Sequence, residues 1–269
     1  MMSSGVLKFL TLIMFCLLWS GPAGADIVGE PVSYTAGQTT LKGFIAYDDQ
    51  IKDRRPGVLV VHEWWGHNDY ARKRALMLAQ LGYVALAVDM YGDGKQAEHP
   101  DEAGKFAGEV SKNMDIGRQR FTAAYRFLQE QMMTDPDRIA AVGYCFGGGV
   151  VLQMARDGVD IDGVVSFHGS LGTQQPAVTG RVKAKVLVLH GADDSFITQE
   201  EVAGFKKEME SAGVDYRFIA YPGAKHGFTN PQADVYAQKF NMPIGYYERA
   251  DKESWAELED FLKEIFEKD

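Results

Sequence analysis

Two rhythms alternate along most of this chain. Short continuous apolar runs at residues 57–61, 83–88, 164–167 and 186–189 suit strands buried on both faces, since neither side of such a strand meets water, and residues 138–144 and 216–220 read as two further strands. Between them, apolar residues recur at helical spacing. Ala71, Ala75, Leu78 and Ala79 share one face of a helix that Asn68 or Asp69 caps and Gly82 stops. Residues 99–132 predict two helical pieces, the second carrying Phe121, Ala124, Tyr125 and Leu128, and residues 147–155 predict another. Thr198 and Glu201 have capping-box spacing and open a helix ending near Gly213, while Trp255, Leu258, Phe261, Leu262 and Ile265 form the stripe of a C-terminal helix. Residues 31–47 instead alternate around Gly37 and predict a β-hairpin at a sheet edge. This order of elements predicts an α/β fold: a mostly parallel central sheet with helices on both faces, an N-terminal hairpin, and ligands beyond the carboxyl ends of the strands.

The first 25 residues break the pattern. Lys8 precedes an apolar stretch at 9–19, then Ala23, Gly24 and Ala25, which is the order of a secretory signal peptide with small residues at the cut. The apolar stretch is about half the roughly 20 residues that a membrane-spanning helix needs. Cleavage after Ala25 and export, periplasmic or secreted, are therefore expected, with no stable membrane insertion afterwards. No repeat, low-complexity tract or linker interrupts residues 26–269, which read as a single domain. Loss of residues 1–25 removes one lysine and no acid, taking the formal charge from −9 to −10. A protein this acidic repels a phosphate backbone, which excludes nucleic acid as its partner. The same cut removes Cys16 and leaves Cys145 as the remaining cysteine, so no intramolecular disulfide can form. A lone thiol is either a buried apolar residue or a working one.

The surroundings of Cys145 favour work. Gly143-x-Cys145-x-Gly147 lies where a strand run meets a helical run. A sharp turn of this kind is the nucleophile elbow of α/β-hydrolases, with glycines flanking the nucleophile because a side chain there would meet backbone. Gly148 and Gly149 then let the helix approach the sheet. The helix N-terminus beneath the sulfur favours negative charge, and a thiolate is a strong nucleophile. Candidate partners follow in the order nucleophile, acid, histidine: Asp193 and Asp194 after the run at 186–189, and His226 after the run that ends near Tyr221. Only one of the two aspartates can face the imidazole, and the other would cap a turn.

A second rim element, His62 to His67, closes the first parallel strand. Its histidines are five apart, whereas a zincin needs them four apart on one helix, so neither metal nor cofactor is expected. The backbone offers a better use: the Trp64 N–H from this loop and the Phe146 N–H after the nucleophile would form an oxyanion hole. Glu63 beside it either hydrogen-bonds the thiol at rest or makes a surface salt bridge. Trp64, Trp65 and Tyr91 either line a substrate pocket or belong to the core.

On these residues the chain resembles the dienelactone hydrolase family of α/β-hydrolases, from about residue 31 to the C-terminus. The matching pieces are His62, Glu63 and Gly66; the stretch from Asp135 to Ile139; Gly143 to Gly148 around Cys145; His190, Gly191 and Asp194; and Tyr221, Pro222, Gly223, His226, Gly227 and Phe228. The resemblance implies a triad of Cys145, Asp194 and His226, with Phe146 and Trp64 supplying the oxyanion hole. It implies a Glu63 that keeps the thiol uncharged at rest and takes its proton when substrate binds. The activity implied is hydrolysis of a small-molecule ester or lactone through an acyl-enzyme. One departure matters. Family members acting on dienelactones grip the substrate carboxylate with arginines, one just after the segment matching Asp89, Met90 and Tyr91 and one shortly after the histidine. Here Gly92 follows Tyr91, and Thr229 and Asn230 follow His226, which points to a different or less charged ester. The competing expectation is a non-catalytic binding protein that retains the fold.

Overall fold

The computed structural model describes residues 26–267; the expected signal peptide lies outside the described residues. In chain order the elements are β1 (Ile27–Ala36), β2 (Thr39–Asp48), β3 (Arg55–Val61), α1 (Asp69–Gln80), β4 (Val84–Val88), α2 (Pro100–Ser111), α3 (Met114–Gln129), β5 (Thr134–Tyr144), α4 (Phe146–Arg156), β6 (Gly163–Phe167), β7 (Lys185–Gly191), α5 (Gln199–Ala212), β8 (Tyr216–Tyr221), α6 (Ala233–Phe240) and α7 (Glu248–Phe266). The eight strands form one sheet in the order β1-β2-β4-β3-β5-β6-β7-β8. β1 and β2 pair antiparallel, β2 joins β4 antiparallel, and β3 to β8 run parallel.

Alternation along the strands divides the core. Leu59 and Val61 of β3 point into one apolar layer with Phe121 and Leu128 of α3, Val151 of α4 and Phe205 of α5. Val58 and Val60 point into the opposite layer, with Leu78 of α1 and Leu258, Phe261 and Leu262 of α7. Each such large side chain removed from water stabilises the fold by about 1.5–3 kcal/mol, which anchors the sheet that carries the site. The capping chemistry expected from the sequence is present. Asn68 Oδ1 accepts from the N–H groups of Tyr70 and Ala71, Thr198 and Glu201 form the capping box of α5, and Gly213 ends that helix in the left-handed region.

The sheet order creates the crevice. From β3 the chain crosses through α1 to β4 on one side, then returns through α2 and α3 to β5 on the other side of β3. The carboxyl ends of β3 and β5 thus flank a topological switch point, where open α/β sheets hold ligands. Two differences from the sequence pattern stand out. The hairpin is longer than residues 31–47, because β1 pairs from Ile27 onward. Helix α6 carries no apolar stripe to announce it: Ala233 is its buried residue, and Val235 is exposed.

Candidate active site

Cys145 sits between β5 and α4 with φ 53° and ψ −115°, a conformation that a non-glycine residue adopts only under constraint. The flanking glycines show what imposes it. A Cβ on Gly143 would lie 2.1 Å from the Gly147 carbonyl oxygen, and one on Gly147 would lie 2.3 Å from the Val61 oxygen. No larger residue fits either place, so α4 begins directly against the end of β3. Two backbone bonds lock the turn: Cys145 N–H donates to Phe167 O at 3.0 Å and Gly147 N–H to His62 O at 3.1 Å.

The loops after β7 and β8 bring the other residues to the half-buried sulfur. His226 Nε2 lies 3.0 Å from Cys145 Sγ, and His226 Nδ1 lies 2.8 Å from Asp194 Oδ2. The Asp194 side chain is fully buried, and its other oxygen accepts from Phe196 N–H at 2.9 Å. Asp193 is exposed, and its carboxylate receives Gly223 N–H at 3.3 Å. The two neighbouring aspartates are thereby separated: one faces the imidazole and the other ties the two loops. Burial opposes charging His226, but the Cys145 sulfur and the Asp194 carboxylate outweigh it and raise its pKa to about 10. The ring is held edge-to-face between His168, at 5.3 Å, and Phe196, at 5.1 Å.

Glu63 is buried at the end of β3 and accepts from Asn230 Nδ2 at 2.6 Å. Burial pushes its carboxyl up to about 7, opposed by the Asn230 bond and by His226 and Arg74. Of the two uses expected for Glu63, its burial rules out a surface salt bridge, and its carboxyl lines the same cavity as Cys145 while holding Asn230. Trp64 and Trp65 line a cavity of about 150 Å³ together with Glu63, Cys145, His226 and Asn230. Phe196, Tyr236, Met242 and Ile244 complete its apolar wall, and no lysine or arginine lines it among the described residues. Tyr91 stands one layer back. Its ring packs on His62 and Phe146, and its hydroxyl donates to Trp64 O at 3.0 Å, so it holds the loop instead of lining the cavity. Among the described residues no three His, Cys, Asp or Glu side chains are grouped as metal ligands would be.

Sequence reasoning missed two parts of this site. The wall residues Tyr236, Met242 and Ile244 come from a stretch without a recognisable period. Behind His226, the buried His168 has φ 39°, and its Nε2 lies 2.7 Å from Thr229 Oγ1, which in turn lies 2.6 Å from Tyr70 Oη. Burial drives the His168 pKa well below the usual imidazole range, so this ring stays neutral. An isolated histidine after a strand carries no sequence signal for such a packing role.

A sharp strand-to-helix elbow at a switch point, with an imidazole and a buried carboxylate supplied from later strand ends, defines an α/β-hydrolase. The model of the dienelactone hydrolase family matches residues 41–266. The chain belongs to that family and is a hydrolase of ester-type bonds. Protein usf of Aquifex pyrophilus is 32% identical over 235 residues, spanning 82% of this chain and 98% of that protein. Among solved structures, m3DLH is 34% identical with a TM-score of 0.84, covering 90% of this chain and 100% of its own. A dienelactone hydrolase-like promiscuous phosphotriesterase from metagenomic libraries is 32% identical with a TM-score of 0.82, again over 90% of this chain and 100% of its own.

Proposed function

We propose that this protein is an exported cysteine hydrolase that cleaves compact, uncharged carboxylic esters or lactones through an acyl-enzyme on Cys145. The observation that carries the reading is the aligned pair of contacts at His226, with sulfur 3.0 Å from one ring nitrogen and a buried carboxylate 2.8 Å from the other. In the first half-reaction the Cys145 thiolate attacks the carbonyl carbon and forms a C–S bond. The carbonyl electron pair moves to oxygen, where the N–H groups of Phe146 and Trp64 receive the charge. Collapse expels the alkoxide, which takes the Nε2 proton of His226. In the second half-reaction a water gives its proton to His226 and attacks the thioester, releasing the acid and restoring the sulfur–imidazole pair. Asp194 keeps the imidazole in the tautomer and orientation both halves need.

The cavity argues for the substrate class. An apolar space of about 150 Å³ takes a group about the size of benzene. A substrate carboxylate would meet Glu63 there and no lining lysine or arginine. Export rests on Lys8, the apolar stretch at 9–19 and the small residues 23–25; a mature protein beginning at Asp26, recovered outside the cytoplasm, is the expected result.

The direct test is turnover of p-nitrophenyl acetate by the mature protein. Cys145→Ala and His226→Ala should each lower kcat by roughly 10⁴-fold or more, and unchanged turnover in both would sink the assignment. A binding protein that merely keeps the fold would turn over no ester, thioester or lactone, and its Cys145 would alkylate no faster than a peptide thiol.

A further inference from the structure

His62 is fully buried one residue before Glu63, and its hydrogen bonds fix which ring nitrogen carries the proton. Met90 N–H, a group that can only donate, points at His62 Nε2 from 3.2 Å, so Nε2 must accept. The proton therefore resides on Nδ1, which lies 2.5 Å from the Glu63 carbonyl oxygen and donates to it. Burial also pushes the His62 pKa down to about 4, against the raising effect of the Glu63 bond and Asp89, which keeps the ring neutral. The ring is wedged between Tyr91, at 4.7 Å edge-on, and Phe146, stacked at 5.8 Å. With both nitrogens committed and no route to the cavity, this histidine is neither an acid nor a base for the reaction.

Its bond acts on the peptide that joins Glu63 to Trp64. The carbonyl of a trans peptide and the following N–H point in opposite directions, and the described chain holds no cis bond. Fixing the Glu63 carbonyl toward His62 therefore aims the Trp64 N–H away from it. Among the described residues the Trp64 N–H has no backbone partner in the turn, whereas Gly66 N–H folds back onto the same Glu63 oxygen at 3.1 Å. The carbonyl of His62 itself accepts Gly147 N–H from the first turn of α4. One residue thus ties the oxyanion loop to the elbow through its backbone and sets the loop's peptide plane through its ring.

We propose that His62 is a positioning residue for oxyanion binding: its Nδ1–H holds the peptide between residues 63 and 64 so that the Trp64 N–H faces the oxygen that becomes charged when Cys145 attacks. The proposal rests on the cysteine mechanism above. It concerns the transition state and not the sulfur, so it separates two readouts that a general structural role would move together.

Two amide variants test it, because each replaces one ring nitrogen. In His62→Asn the amide reaches the place of Nδ1 and can still donate to the Glu63 carbonyl; in His62→Gln it reaches the place of Nε2 and cannot. Loss of an oxyanion donor costs about 10²–10³ in kcat, so His62→Gln should lose about 100-fold in kcat on p-nitrophenyl acetate, with KM changed by no more than about threefold. His62→Asn should recover roughly tenfold of that loss. Alkylation of Cys145 by iodoacetamide develops no oxyanion, so its rate should stay within about twofold of wild type in both. A His62→Gln variant as active as His62→Asn would overturn the proposal, as would alkylation falling in step with kcat. The wild-type protein gives a test that needs no variant: nitrogen-15 imidazole shifts must report an Nδ1–H tautomer for His62 that does not titrate between about pH 5.5 and 9. An Nε2–H tautomer there would overturn the proposal even if neither variant folds. Cys145→Ala in the same assay keeps the two readings apart. If it still turns over, the cysteine mechanism fails and takes this proposal with it; if it is dead while Gln equals Asn, only the positioning role fails.

Discussion

The two sides of the cavity are built on different principles. On the reacting side, every group hangs from the end of a strand of the sheet: Cys145 after β5, Asp194 after β7, His226 after β8, and Trp64 after β3. Backbone contacts set their places, down to a missing Cβ at Gly147 that lets α4 touch Val61. On the opposite side, Trp65, Tyr236, Phe240 and Met242 pack with Ala97 and Ala103 in a small apolar cluster separate from the two large layers. Trp65 and Tyr236 rings stand 4.4 Å apart, and the helix that carries Tyr236 buries little besides Ala233. The sheet thus holds the chemistry rigid, while a small cluster at the rim shapes what enters. Substitutions on the first side should cost rate, and those on the second should redistribute preference.

The largest effect expected, apart from loss of Cys145 or His226 themselves, lies at Asp194. Asp194→Asn removes the charge that favours the imidazolium and permits the wrong tautomer, so kcat should fall by about 10³–10⁴-fold. Asp193→Asn changes an exposed residue that receives only Gly223 N–H at 3.3 Å, and should stay within about threefold of wild type. Steady-state kinetics on one ester measure both. The reverse order would transfer the orienting role to Asp193 and make the buried carboxylate structural.

The contrast also explains what could be read in advance. Cys145, Asp194, His226 and the Trp64 loop were legible because backbone geometry demands particular residues there: glycines at 143 and 147, and short polar or aromatic residues just past apolar runs. The strands and six of the seven helices were legible because burial imposes a period. α6 was not, since its residues answer to a few aromatic neighbours and most face water. Asn230 lies in a segment whose departure from the arginine pattern was visible, yet its bond to Glu63 spans 167 positions of sequence, and no local pattern encodes a contact at that range. Tyr91 stayed open because an aromatic near a rim looks the same whether it faces the cavity or braces the loop behind it.

Glu63 belongs to both sides, as the buried carboxyl of an otherwise apolar wall, and predicts an intermediate effect that depends on pH. Its pKa is raised in the fold to about 7 from an ordinary 4.5, first through burial. The folded protein therefore holds its proton to a higher pH than the unfolded chain does, and stability contributed by the neutral form is lost as pH climbs from about 4.5 through 7. The groups facing it, Asn230, His226 and Arg74, reduce that penalty without removing it. Glu63→Gln keeps an acceptor for Asn230 and cannot ionise. Thermal unfolding should show no advantage for the variant near pH 4 and a gain on the order of 2–3 kcal/mol above pH 7. A gain that is equal at both ends would mean that ionisation of Glu63 is not the cause.

The smallest effect in rate is expected at the wall, where it sharpens the comparison most. Tyr236 is half-buried, and its ring meets Trp65 at the edge of the cavity, away from both main core layers. Tyr236→Ala enlarges the apolar space without touching an element that carries Cys145, Asp194 or His226. A methylene gained or lost in such a pocket is worth about 1–3 kcal/mol, so the ratio of kcat/KM for a hexanoate ester over an acetate ester should rise roughly tenfold. Turnover of acetate itself should stay within about threefold, and the alkylation rate of Cys145 should not move, because sulfur and imidazole are held from the sheet. If acetate turnover and alkylation fell together with no change in chain-length preference, the rim cluster would be supporting the reacting groups, and the division between a rigid chemical side and an adjustable wall would be wrong.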